Sequence, residues 1–196
     1  MMKKPPIGLF VTGNNTEVGK TFVAALIVKQ LVAAGKKVGV YKPAASGCQK
    51  VDGRLVSEDV EALRAAAGNP GTVKQICPQM FEAPLAPHLA ARAEGKELDA
   101  KLLRTGIEAW AGKCDVVIVE GAGGLMSPIS DDEYVADLAL DLGYPMIVVA
   151  ANRLGVINET LQTLITASAF AEGLEVAGVV LNDLNPAADD ISRDSN

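Results

Sequence analysis

The sequence predicts an α/β fold in three layers, with a mostly parallel central sheet and helices on both faces. Three observations carry this reading. Short apolar strands alternate with helical patterns throughout, and right-handed crossovers turn that alternation into a parallel sheet. Nearly half of the 196 residues are apolar but only 4% are aromatic, and small and β-branched side chains suit a sheet covered by tightly packed helices. The apolar run Ile7-Gly8-Leu9-Phe10-Val11 enters a glycine-bounded loop, Gly13-Asn14-Asn15-Thr16-Glu17-Val18-Gly19-Lys20-Thr21, which opens a helical pattern. A single domain over 1–196 is expected, because this length fits one core of ordinary size.

Taken in order, the first strand is Ile7 to Val11 and the first helix Lys20 to Ala34, ended by Gly35. Lys37-Val38-Gly39-Val40-Tyr41 reads as the second strand, followed by a polar loop from Lys42 to Arg54. An Ala-rich helix from Ser57 to Ala67 is capped by Ser57 and stopped by Gly68-Asn69-Pro70. Gly71 to Pro87 holds several prolines without a period and is expected to be an extended loop with a short strand at Gln75 to Phe81. Helices are expected near His88 to Ala93 and Asp99 to Ala111. Asp115-Val116-Val117-Ile118-Val119 is the clearest buried strand and runs into Glu120-Gly121-Ala122-Gly123-Gly124. A helix from Glu133 to Leu142, a strand at Met146 to Ala150, a helix from Asn158 to Glu172 and a strand from Val176 to Leu181 complete the pattern. The tail, Asn185 to Asn196, is polar, lacks a core face and is expected to fray.

Ligands of such sheets lie beyond the carboxyl ends of the strands. Here those ends are Gly13 to Thr21, Lys42 to Gly47, Glu120 to Gly124, Asn152 to Asn158, and Asn182-Asp183. One site assembled from five strand ends is the economical expectation.

Composition narrows the partners. A net charge of −6 argues against nucleic acid or an anionic membrane as the main partner. No apolar run approaches the roughly 18 residues that span a bilayer. The start, Met1-Met2-Lys3-Lys4-Pro5-Pro6, is charged but lacks a long apolar segment, so no signal peptide is read. Cys48, Cys77 and Cys114 are odd in number and widely spaced, which speaks against disulfides or zinc and for a reducing cytoplasm.

The chemistry begins in the glycine-bounded loop. Backbone N–H groups of Gly13, Asn14, Asn15, Thr16, Glu17, Val18 and Gly19 and the positive end of the helix suit a phosphate. Lys20 is placed for the terminal phosphates and Thr21 for Mg²⁺. The general pattern has four residues between its glycines; this loop has five, Asn14 to Val18. The bland alternative is a turn capping a helix, to which a Lys-Thr pair would add nothing. Phosphoryl transfer also needs carboxylates on the metal. Glu120 at the tip of the most apolar strand and Asp59 in the first turn of a helix are the candidates, each with a solvated surface acid as its alternative. Lys42, held extended before Pro43, would stabilise charge developing during transfer, unless it is simply a solvated strand-end lysine. Gly121, Ala122, Gly123 and Gly124 offer backbone N–H groups for a carboxylate or carbonyl, or form a tight turn. His88, the one histidine, reads as a structural residue shaped by Pro87, and no Ser-His-Asp or Cys-His device is present.

Taken together, these segments resemble the dethiobiotin synthetases, ATP-dependent carboxylases of the P-loop NTPase type. The resemblance rests on Val11-Thr12-Gly13-x-x-Thr16-Glu17-Val18-Gly19-Lys20-Thr21, with its five-residue gap, and on Tyr41-Lys42-Pro43-x-x-Ser46-Gly47. It continues through Ser57-x-Asp59, Ala86-Pro87-His88, Val119-Glu120-Gly121-Ala122-Gly123-Gly124, Leu154-Gly155-x-Ile157-Asn158 and Asn182-Asp183. It implies ATP, Mg²⁺, CO₂ and 7,8-diaminononanoate as ligands, and a cyclic urea, dethiobiotin, as product. By the same resemblance Lys20 holds the ATP phosphates, and Thr21, Asp59 and Glu120 gather the metal. Lys42 lies between carbamate and γ-phosphate, Thr16 and Ser46 orient the reacting groups, Glu17 lies near the diamine, and Asn182 reads the adenine edge. A homodimer is implied too, with the substrate carboxylate anchored by the partner's helix start at Val156, Ile157 and Asn158. The family continues beyond the Asn-Asp strand end with a further strand and a loop over the base. This chain ends in a polar tail at Asn196, so the expectation is either that the sequence is a truncated piece or that the purine is held less completely.

Two other readings compete. Switch-type P-loop ATPases of the partition and cell-division kind carry an additional lysine early in the loop, where this chain has Asn14. Amidotransfer-linked ligases of cobalamin synthesis need a glutaminase domain, for which 196 residues leave no room.

Overall fold

The computed structural model describes residues 7–184. The tail expected to fray lies outside these residues. Nine strands and seven α-helices are described, in the order β1 (Ile7–Gly13), α1 (Lys20–Ala33), β2 (Val38–Tyr41), β3 (Ala44–Ala45), β4 (Gln49–Val51), β5 (Arg54–Val56), α2 (Glu58–Ala66), α3 (Val73–Ile76), β6 (Gln79–Met80), α4 (Pro87–Ala93) and α5 (Ala100–Thr105). A 3-10 turn at Gly106–Trp110 precedes β7 (Val116–Gly124), α6 (Val135–Leu142), β8 (Met146–Ala151), α7 (Val156–Ala169) and β9 (Val176–Asn182).

Five strands form one parallel sheet in the order β2-β7-β1-β8-β9. The chain leaves β1 toward β7 and β2 on one side and returns to β8 and β9 on the other. The order therefore reverses at β1, which puts the loop after β1 at the topological switch point where such sheets bind ligands. The sheet interior is built from Phe10, Val11, Val40, Val117, Val119, Val148 and Val149, all without solvent exposure. Both faces of these strands are covered, which is why they read as continuous apolar runs rather than alternations. Register then decides which strand ends meet. Tyr41 of β2 stands beside Val119 of β7, and Val11 of β1 beside Glu120. The next residue after Tyr41 is Lys42, so backbone pairing alone brings Lys42 up to Glu120.

The expected parallel sheet with helices around it is present, and several local expectations are corrected. The polar loop from Lys42 to Arg54 contains β3, which pairs in parallel with β6, and the antiparallel hairpin β4–β5. The hairpin turns on Asp52-Gly53, both at positive φ (49° and 76°), the type I′ signal of a two-residue turn. The extended segment after Gly71 holds a helical turn, α3, fixed by a capping box in which Thr72 and Gln75 bond each other's backbone N–H. The helix expected from Asp99 to Ala111 tightens into the 3-10 turn at Gly106, where the ring of Tyr41 leaves no space for a Cβ. β7 runs on to Gly124, so the glycine stretch is a strand end rather than a loop. α7 starts at Val156, two residues before the expected Asn158, and ends at Ala169. Among the described residues no helix is long and apolar enough to cross a membrane.

Gly39 of β2 faces the indole of Trp110; an added Cβ would stand 2.9 Å from Trp110 Cδ2 and 3.0 Å from Cys114 Sγ. Gly39→Ala is therefore expected to destabilise the fold by about 1–3 kcal/mol through overpacking, measured as a lower midpoint in urea with an unchanged slope.

Candidate active site

A cavity of about 390 Å³ opens at the switch point, lined by Thr16, Glu17, Gly19, Lys20, Thr21, Lys42, Ala44, Ala45, Ser46, Asp59, Glu120, Gly121, Ala122 and Gly123. Each wall has a local cause. The loop after β1 is compressed at Gly13, where a Cβ would stand 2.7 Å from the Asn15 carbonyl oxygen and from Val18. Gly19 adopts φ 86° to turn the chain into α1, whose first residues are Lys20 and Thr21. Glu17 takes φ 59° without being glycine, a strained conformation of the kind that gathers at ligand-binding loops. Ser57 caps α2, presenting Asp59 in its first turn.

The centre of the cavity is a cluster of charges in which Lys42, Lys20 and Glu120 are buried and Asp59 is half exposed. Lys42 Nζ lies 2.6 Å from Glu120 Oε1 and 2.8 Å from Asp59 Oδ2. Thr21 Oγ1 donates to the same Glu120 oxygen at 2.8 Å. Glu120 is 1% exposed, and its Oε2 has no hydrogen-bond partner among the described residues. Lys20 Nζ donates to the Asn15 carbonyl at 3.2 Å. Two lysines and two carboxylates leave the cluster formally neutral. Burial would lower the Lys42 pKa, but Glu120 and Asp59 outweigh it and hold the ammonium above the ordinary lysine value. Burial likewise opposes ionised Asp59, yet the Lys42 charge and hydrogen bond, the Thr21 hydroxyl and Lys20 together hold its carboxyl below the usual range. Lys20 goes the other way: burial pulls it down, helped by Lys42 and only partly opposed by Glu120 and Asp59. A buried cation with too little negative charge around it is primed for an anion.

Three hard oxygen donors, Thr21, Asp59 and Glu120, converge here, the donor set a magnesium ion takes. Among the described residues no cluster contains three His, Cys, Asp or Glu, so a cation would rest on two carboxylates and a hydroxyl, with its remaining positions left to ligand oxygens or water. The orphaned Glu120 Oε2 fits that role, since a buried carboxylate oxygen is costly without a partner.

The remaining candidates divide. Asn14 turns away from the cavity; its amide reaches Thr160 Oγ1 at 3.3 Å and Glu159 Oε2 at 3.5 Å on α7. Asn14, Asn15 and Gly124 line a neighbouring cavity instead, and the Gly124 N–H is taken by Ser127 Oγ at 2.8 Å. Asn182 donates to the Val18 carbonyl at 3.0 Å and so ties β9 to the loop from behind. Val156 and Ile157 line a separate apolar cavity with Leu161, Val179 and Leu181. The expected convergence of five strand ends is thus corrected: three ends and the start of α2 line this cavity, β9 reaches only the phosphate loop behind it through Asn182, and Val156 and Ile157 after β8 line another cavity. His88 is buried in α4, outside the lining. Ala44 and Ala45 lie within the expected strand end Lys42 to Gly47 but carry no chemical signal that singles them out; Ser127, whose clue was a serine three residues beyond Gly124, was missed.

A phosphate loop at the switch point of a parallel sheet, with lysine, threonine and two carboxylates around it, defines a P-loop NTPase-type fold. Comparison agrees: the kinase domain of Escherichia coli tyrosine kinase ETK superposes with a TM-score of 0.54 at 20% identity, over 96% of this chain and 71% of that one. A family model described as an AAA domain matches residues 7–195. The ATP-dependent dethiobiotin synthetase BioD of Rhodopirellula baltica is 42% identical over 195 residues, 94% of this chain and 75% of that protein. Its counterpart in Anaeromyxobacter dehalogenans (strain 2CP-C) is 45% identical over 182 residues, 93% and 79% of the two chains. The chain belongs to the ATP-dependent dethiobiotin synthetase family.

Because the Asp59 carboxyl is held low in the folded state, its contribution to stability is fully present above the unfolded carboxylate value near 3.9. It is lost as pH falls through the depressed folded value. Urea denaturation between pH 6 and pH 2 is expected to show a steeper acid loss in the wild type than in Asp59→Asn, which lacks this titration.

Proposed function

We propose that this protein carboxylates 7,8-diaminononanoate with CO₂ and closes the ring to dethiobiotin, using ATP and releasing ADP and phosphate. The observation that carries the reading is the joint cavity: the phosphate loop's Lys20 and Thr21 share one space with the buried Lys42–Glu120 pair and Asp59. Two anions, a carbamate and a triphosphate, must meet for this reaction. Two lysines and a helix N-terminus around one cavity are placed to offset that repulsion as the reactants meet.

One amine attacks CO₂ and loses a proton, leaving a carbamate. A carbamate oxygen takes the γ-phosphoryl group as the bond to ADP breaks. The second amine then attacks the carbonyl carbon; the carbon–oxygen bond to phosphate breaks, phosphate leaves and the ammonium loses its proton. Lys20 and the N–H groups of Gly13 to Thr21 hold the phosphates. The Thr16 and Ser46 hydroxyls, both in the cavity lining, orient amine and carbamate, Lys42 neutralises both anions, and Glu17 stands at the diamine side. Gly121, Ala122 and Gly123 let the substrate approach the backbone closely. Thr21, Asp59 and Glu120 would hold Mg²⁺, which when bound spreads the negative charge of the β- and γ-phosphates. Asn182, already packed on the loop, reads the adenine edge.

A homodimer completes the site in this reading. α7 exposes Ile157, Leu161 and Ile165 at 55, 53 and 66%, four residues apart on one face, which suits a two-fold contact. The helix start at Val156, Ile157 and Asn158 would then anchor the carboxylate of the partner's substrate. A cytoplasmic setting agrees with three free cysteines, whose thiols burial makes less acidic, Cys77 to about 12. The switch-ATPase reading has less support, since Asn14 is engaged with α7 rather than turned toward a nucleotide.

Phosphate release from ATP, Mg²⁺ and bicarbonate is expected to depend on 7,8-diaminononanoate; turnover indifferent to the diamine would overturn the proposal. Lys42→Ala is expected to lower ring closure by about 10²-fold or more in protein that remains folded by circular dichroism. Ile157→Asp is expected to shift sedimentation from dimer toward monomer and to raise KM for the diamine more than for ATP.

A further inference from the structure

Lys42 holds one oxygen on each of the two carboxylates that a divalent cation would need, and leaves Glu120 Oε2 unpartnered among the described residues. Its ammonium bridges Asp59 Oδ2 at 2.8 Å and Glu120 Oε1 at 2.6 Å, two of the three donors of the cation site, and hydrogen-bonds with the same Glu120 oxygen as Thr21. The lysine side chain is 6% exposed and that of Glu120 is 1% exposed, so water cannot relieve either charge. An ammonium 2.6 Å from Glu120 Oε1 opposes a divalent cation on the other oxygen of the same buried carboxylate, because two positive charges a few ångströms apart repel strongly where water is excluded.

We infer that Lys42 is a tethered stand-in for the metal, neutralising Asp59 and Glu120 until a cation arrives and only then turning its ammonium into the cavity. This deepens the proposed function and rests on its cation site. It supplies an order of events. In the nucleotide-free protein the carboxylates are compensated and Lys42 is masked. When the cation enters with the triphosphate, the carboxylates exchange one positive partner for another. The released ammonium then has the space bounded by Thr16, Ser46 and Gly121 to Gly123 in front of it, where the two reacting anions meet. The lysine is thereby delivered to the reactants only after the phosphates are in place.

The test uses Mn²⁺ as the probe, read by the electron paramagnetic resonance of the free ion, without nucleotide. Wild-type protein is expected to bind Mn²⁺ weakly. Lys42→Met is expected to bind it about tenfold or more tightly, a gain of at least about 1.4 kcal/mol, and the gain is expected to vanish in Lys42→Met/Glu120→Gln. Equal Mn²⁺ affinity in wild type and Lys42→Met, or a gain that survives the second substitution, would overturn the inference. Should Lys42→Met fail to fold, the wild type decides: the Lys42 ammonium resonance of ¹⁵N-lysine-labelled protein is expected to move with ADP and Mg²⁺ but not with ADP in chelator. Identical responses would overturn it. These readouts are independent of turnover, so their failure leaves diamine-dependent phosphate release standing, and loss of that release leaves the Mn²⁺ result standing.

Discussion

The 2.6 Å pair between Lys42 and Glu120 is the contact on which the rest of this architecture turns. Glu120 ends the apolar core of β7 with its carboxylate inside the protein, where an unpaired charge costs several kcal/mol. Parallel register supplies its counter-ion, since β2 and β7 align Tyr41 with Val119 and the following residues must meet. Every other feature of the cavity answers to this pair. Asp59 is brought in by a capped helix to share the lysine, Thr21 donates to the carboxylate, and Lys20 makes the sum of charges zero. Such a cluster contributes little net stability; its value lies in holding charges at fixed positions before a ligand arrives.

Much of this was legible in the sequence because the strongest signals are local. Continuous apolar runs such as Val116 to Val119 mark strands covered on both faces, and the Gly-Lys-Thr entry into α1 marks the phosphate loop. What escaped was written in weaker code. Asp52-Gly53 and Thr72-x-x-Gln75 are recognisable turn and cap signals, but they sat within polar or proline-rich stretches that read as loops. The short parallel pairing of β3 with β6 joins residues some 35 apart by number and leaves no periodic trace. The extent of β7 escaped for another reason: glycines predict a turn, whereas here they continue a strand beside another strand's loop.

The site was legible by residue type and less so by direction. Lys20, Thr21, Lys42, Asp59 and Glu120 meet because strand ends share one edge of the sheet. Asn14 was grouped with them by adjacency, yet the chain reverses so tightly at Gly13 and Val18 that its side chain emerges toward α7. The start of α7 was grouped by the same rule, and it fails there because Val156 and Ile157 pack beside Val179 and Leu181 around a separate apolar cavity. Family membership and fold likeness also separate cleanly here. The kinase-domain likeness speaks only for the sheet and its loop, while the dethiobiotin synthetase relatives match across the segments that supply Lys42, Asp59 and Glu120.

The β4–β5 hairpin leaves the cavity just after Ser46 and returns just before Asp59, so both of its feet stand on the binding walls while its tip at Asp52-Gly53 projects into solvent. Such a lever makes a natural mounting point for a fluorophore or spin label. A reporter carried there would sit beside the binding walls without touching any atom that takes part in the chemistry.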